Sequence, residues 1–153
     1  MAGAMNENQL AIEGSSLSQE QRATLLEAMN KGLLGEQFCQ LVMLDDGEDG
    51  EEPSFLSEVS EQYLSDATEH MTKLREMVGD GTKEVDWVAL DALAHRFKGS
   101  SCNMGALNVT ACLVKLRDLG KGKDLEGSRE MVEKADEAVV ELRPALEAFV
   151  AKK

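Results

Sequence analysis

Apolar residues recur at spacings of three and four along most of this chain, and no stretch alternates apolar and polar long enough to make a half-buried strand. A repeat near 3.6 residues can bury its apolar side only as a helix packed on other helices, so the sequence predicts an all-α protein. With aromatic residues at only 4% of the chain, the core falls to Leu, Met and Ala, which favour helix.

The elements follow from punctuation and periodicity. Residues 1 to 14 carry little pattern and two glycines, and 1–16 is expected to be a flexible tail ahead of a single helical domain over 17–151. Ser18-Gln19-Glu20-Gln21 makes a capping box, starting a short helix that runs to about Lys31. Beyond Gly32 and Gly35, residues Glu36 to Leu44 predict a second short helix, followed by an acidic loop from Asp45 to Glu52. Pro53 sits where a helix tolerates it, in the first turn of a long amphipathic helix that ends near Gly79.

Asp86 is a plausible N-cap for the next helix, which should close at Gly105 in the left-handed conformation. A further helix is expected from Leu107 to Leu119, then a Gly120-Lys121-Gly122 turn and a last helix with a stripe from Met131 to Phe149. Pro144 lies inside that stripe, where a bend or a break is expected. Short loops between the four longer helices predict an up-down-up-down four-helix bundle, with the two short N-terminal helices at its flank.

Charge narrows the function. With 29 acidic against 16 basic side chains and a net charge of −13, the chain repels phosphate backbones and anionic lipid, so neither nucleic acid nor a membrane is expected as a partner. No apolar run approaches the roughly 20 residues of a bilayer span and no export signal is visible, so an intracellular protein is expected. Cys39, Cys102 and Cys112 are odd in number and unpaired in spacing, which suits a reducing compartment.

The candidates for chemistry are the two histidines. His70 projects within the arc of Val59, Tyr63, Leu74 and Met77, and so reads as a core or core-edge residue with a packing or hydrogen-bonding role. His95 is the opposite case, lying roughly 150° from the mean direction of Leu90, Leu93, Ala94, Phe97, Ser101 and Met104 at 100° per residue. It should face water, flanked by Val88, Asp91, Lys98, Gly99 and Cys102. An exposed histidine is ordinarily just part of a solvated face. Gly99 argues otherwise, because glycine in an exposed helical turn costs about 1 kcal/mol relative to alanine and invites a reason such as the close approach of another body. Lys98 offers a counter-charge to an anion placed beside the imidazole, which is itself a nucleophile when neutral.

The segment from Leu90 to Ala106, LDALAHRFKGSSCNMGA, resembles the signature of histidine-containing phosphotransfer proteins, especially the plant type. That pattern is a His followed at three, four, five and six by Lys, Gly, Ser and Ser, then by Gly-Ala at ten and eleven, and all of these are present. A weaker likeness runs upstream through Leu34 to Leu41 and Pro53-Ser54-Phe55, so the resemblance spans roughly residues 20 to 150. Arg96, Phe97, Asn103 and Met104 depart from the commonest plant residues, His70 stands at a usually aliphatic position, and Pro144 is unusual.

The resemblance implies a phosphorelay carrier with no kinase activity of its own. His95 would be the phospho-acceptor, Lys98 the group beside the phosphate and Gly99 the gap that admits a receiver domain. The expected attacking nitrogen is Nε2, which projects furthest from the helix. Partners would be receiver domains of hybrid histidine kinases and of response regulators, as in plant cytokinin signalling. Docking would fall on Val88, Asp91, Arg96 and Cys102 around the histidine. The carrier would hold no cofactor or metal, the divalent ion belonging to the partner receiver, and would act as a monomer in the cytoplasm and also in the nucleus. The rival reading is a non-catalytic helical adaptor, suggested by the 8 Met and the acidic loop. A di-metal bundle fails, since the chain has two histidines and no Glu-x-x-His pair.

Overall fold

The structure is a computed structural model and describes residue 12 and residues 17–44, 55–82 and 84–150. Among the described residues, six helices are delineated at both ends: α1 (Gln19–Asn30), α2 (Glu36–Leu44), α3 (Phe55–Val78), α4 (Trp87–Met104), α5 (Leu107–Lys121) and α6 (Leu125–Glu147). Helices α3 to α6 form the up-down-up-down bundle: each packs on its chain neighbour, and α6 returns to close the ring on α3. The tight connections reverse the chain, with two residues between α4 and α5 and three between α5 and α6.

Local chemistry sets the ends. Ser18 Oγ accepts from the Gln21 backbone N–H at 3.1 Å while Gln21 Oε1 accepts from the Ser18 N–H at 3.0 Å, so the capping box forms as expected. Asp86 caps α4 by accepting from the Ala89 N–H at 3.0 Å. Gly105 closes α4 at φ 73°, and a side chain there would also strike the backbone of Phe38 at 2.8 Å. The reason is a crossing of chain segments. The link between α1 and α2 runs against the α4–α5 turn, where Gly35 N donates to Gly105 O at 2.8 Å and Leu107 N to Leu33 O at 3.2 Å. Phe38 of α2 then meets Phe149 edge-on at 5.1 Å, and Gln21 of α1 donates to Ala148 O at 3.1 Å, so the N-terminal pair clamps one end of the bundle.

Several expectations need correction. Helix α5 runs two residues past Leu119, through Gly120, whose bare backbone lies against Trp87 and Leu90; packing on α4 overrides the glycine's poor helix propensity, and the turn falls at 122–124. Of the bend or break expected at Pro144, the break does not occur, since helix α6 runs on through it. Pro144 and Val140, the carbonyl left without its donor, both sit on the exposed side, where water can satisfy the carbonyl. Within the expected flexible tail, Ile12 is helical and fully buried in the core, so at that position the chain packs. The acidic loop over 45–52, Pro53, the remainder of 1–16 and the end of the domain at 151 lie outside the described residues.

Two polar features sit in or beside the core between α3 and α4. Tyr63 Oη and Ser101 Oγ are 2.7 Å apart and buried, and burial pushes the Tyr63 phenol up to about 12 despite that bond. His70 packs against Phe97 with the rings tilted and their centroids 5.0 Å apart, which is the packing role expected of it; its buried Nδ1 has no hydrogen-bond partner among the described residues. Burial lowers the His70 pKa below 6.5, with Lys73 and Arg96 acting the same way and Asp66 and Glu69 opposing.

Two outcomes are expected. Because the native state disfavours His70 protonation, stability should be unaffected by it above pH 6.5 and fall as pH drops below that value. A His70→Leu variant should lose this acid-side decline in thermal melts. Tyr63→Phe or Ser101→Ala should each cost about 1–3 kcal/mol by stranding a buried hydroxyl, and the double variant less than their sum, as measured by urea unfolding.

Candidate functional site

The site is built on α4, whose faces are unequal. Leu90, Leu93, Ala94, Phe97, Ser101 and Met104 are all buried, and they fix the rotation of the helix in the bundle. Because each residue turns the helix 100°, His95 is left on the outside, where it is exposed. Val88, at 82% exposed, stands on the outward side almost two turns earlier. Gly99, Arg96 and Cys102 are exposed and Lys98 is half-buried.

What holds the imidazole comes from α5. Arg117 Nη1 lies 3.0 Å from His95 Nδ1. The same guanidinium donates through Nε to Asp91 Oδ1 at 3.0 Å and through Nη2 to Asp91 Oδ2 at 3.4 Å. Asp91, Arg117 and His95 thus form one linked group across two helices. The hydrogen bond from Arg117 holds the Asp91 carboxyl below its usual range, and the same bond raises the guanidinium. With Nδ1 engaged, Nε2 is the ring nitrogen that has no hydrogen-bond partner among the described residues.

The expected site residues therefore divide. His95, Lys98 and Gly99 lie along one side of α4, and Lys98 forms no ion pair with any of the described residues. Asp91 is bound to Arg117 instead of standing free for a partner. Arg96 bears electrostatically on His70 of α3. Cys102 is an exposed free thiol. Arg117 is absent from the sequence reading; only its position in the register between α4 and α5 brings it to the histidine. Among the described residues, no group of three or more His, Cys, Asp or Glu side chains could hold a metal ion.

Gly99 is informative for what surrounds it. A methyl group built there would meet nothing within 4 Å, so neither backbone strain nor internal packing requires glycine at this position.

The sequence and the fold have counterparts among known proteins. The Hpt domain family matches residues 58–152. A rice protein named histidine-containing phosphotransfer protein 2 is 34% identical over 116 residues, covering 76% of this chain and 75% of its own. An Arabidopsis thaliana protein named histidine-containing phosphotransfer protein 4 is 30% identical over 119 residues, covering 78% and 90%. The crystal structure of a maize histidine-containing phosphotransfer protein superposes with a TM-score of 0.77 at 30% identity, over 86% of this chain and 92% of that one. The chain belongs to the Hpt domain family, as the His95 segment led one to expect.

Gly99→Ala should leave the fold intact and raise its stability by about 0.5–1 kcal/mol, since an open helical position gains propensity without a clash. Urea unfolding of the two proteins checks it; a loss of stability would show that Gly99 is needed by the fold itself.

Proposed function

We propose that this protein is a phosphocarrier that takes a phosphoryl group on Nε2 of His95 from the aspartyl phosphate of one receiver domain and gives it to the aspartate of another. The observation that carries this is the exposed His95 imidazole, held at Nδ1 and free at Nε2, in a chain of the Hpt family. The donors would be receiver domains of hybrid histidine kinases and the acceptors those of response regulators, the partners that the resemblance of the His95 segment implies.

Transfer needs little from the carrier. The ring proton has first to move, Nδ1 taking one from water as Arg117 is drawn off it and Nε2 giving up its own to water. The Nε2 lone pair then forms the bond to phosphorus as the aspartyl O–P bond breaks, the oxygen leaving with its electron pair as carboxylate. The proton then on Nδ1 returns to water as Arg117 resumes its contact there. Lys98, unpaired among the described residues, neutralises the phosphoryl oxygens, and Arg117 adds a second positive charge beside them. These charges stand out on a chain of net charge −13 and match an anionic group and an acidic receiver pocket. The divalent ion that such a transfer uses is assigned to the receiver, so the carrier has no cofactor and no kinase activity of its own.

Docking has to bring an aspartate side chain to Nε2. The open space over Gly99 admits the receiver backbone, and Val88 supplies apolar surface almost two turns to the other side of His95 on the same exposed side of the helix. Such an interface should be small and short-lived, because a carrier must let go.

Incubation with a receiver domain carrying labelled phosphate tests the reading. Label should move to an acid-labile, alkali-stable linkage on the wild-type chain and not to His95→Gln. Lys98→Ala should slow transfer about tenfold, equivalent to roughly 1.4 kcal/mol in the barrier, and Gly99→Ala should slow it although the protein is no less stable. Label persisting in His95→Gln would refute the site. Receiver binding with no uptake in wild type would favour a helical adaptor.

A further inference from the structure

Arg117 can only donate, because a guanidinium has no acceptor atom. Its Nη1 lies 3.0 Å from His95 Nδ1, so this contact uses the Nδ1 lone pair and the ring proton is on Nε2. The arrangement is not a loose side chain in water. Arg117 is only 24% exposed, and both oxygens of Asp91 hold its fork in place. Other charged groups bear on the pair, Lys121 of α5 on Asp91 and Asp118 of α5 on Arg117, and Lys98 follows His95 by one turn of α4.

The consequence is greatest after phosphorylation. With phosphorus on Nε2, the P–N bond breaks readily once Nδ1 has taken a proton, because its electron pair then stays on a neutral imidazole. While Nδ1 is unprotonated, the ring would have to leave as imidazolate, a far poorer leaving group. A donor parked on the Nδ1 lone pair keeps that proton away.

We propose that Arg117, oriented by Asp91, is a positioning residue that keeps His95 Nδ1 unprotonated and so lengthens the life of the phosphohistidine between partners. The inference rests on the carrier reading above. Release follows when Arg117 is drawn off Nδ1: water supplies the proton to Nδ1, the P–N bond breaks onto Nε2, and the phosphoryl group passes to the acceptor oxygen. A docked acidic receiver is the natural competitor for the guanidinium.

The test uses the full chain, phosphorylated by the small-molecule donor phosphoramidate and followed by phosphorus NMR at neutral pH, beside nitrogen-15 spectra of the unphosphorylated protein. Wild type should show the Nε2–H form of His95. Arg117→Met should shift the ring toward Nδ1–H, since the freed Asp91 carboxylate accepts that proton, and should shorten the phosphohistidine half-life about threefold or more, the scale of one exposed hydrogen bond. Arg117→Lys, which keeps a donor, should recover much of both. If Arg117→Met takes phosphate on His95 with tautomer and lifetime unchanged, the positioning role is wrong and the carrier reading stands. If wild-type His95 takes no phosphate, both fall together.

Discussion

The rotation of α4 about its own axis is the constraint on which the rest depends. Six side chains from Leu90 to Met104 are buried on one side, and together they leave the helix one orientation in the bundle. His95 is exposed because those six are not. The Gly105 turn secures the same helix at its end, where the α1–α2 link crosses it through paired backbone hydrogen bonds. An imidazole can therefore be presented at the surface by a rigid scaffold.

The second contribution comes from the neighbouring helix. Helix α5 packs along α4, and this places Arg117 between Asp91 and His95. A free imidazole on a helix surface would sample several rotamers and both tautomers. Here one ring nitrogen is tied and the other left open, so exposure and chemical definition coexist. The exposure of Gly99 completes the arrangement, since the fold itself has no use for a glycine there.

Much of this was legible in the sequence, and for identifiable reasons. The helices of the bundle, the Ser18 and Asp86 caps, the Gly105 closure and the outward face of His95 all depend on short-range periodicity and on local backbone chemistry, which a single chain displays directly. His70 was placed on the core side by the same reasoning, though its Nδ1 finds no hydrogen bond. What escaped depends on contacts between distant segments. Arg117 is 22 residues from His95, and nothing local marks it among the other basic residues of α5. Asp91, read as a docking residue, is taken up by that same contact. The helical state of Gly120 comes from packing on Trp87 and Leu90, and the burial of Ile12 from the core it joins, neither of which periodicity reports.

The proposed transfer centres on one atom, Nε2 of His95. Phosphorylating the protein uniformly labelled with nitrogen-15 and reading the phosphorus–nitrogen couplings by NMR locates the linkage directly. A coupling to Nε2 of His95 is expected, with Nδ1 still hydrogen-bonded to Arg117. Phosphorus on Nδ1, or on any other residue, would contradict the geometry described for this site.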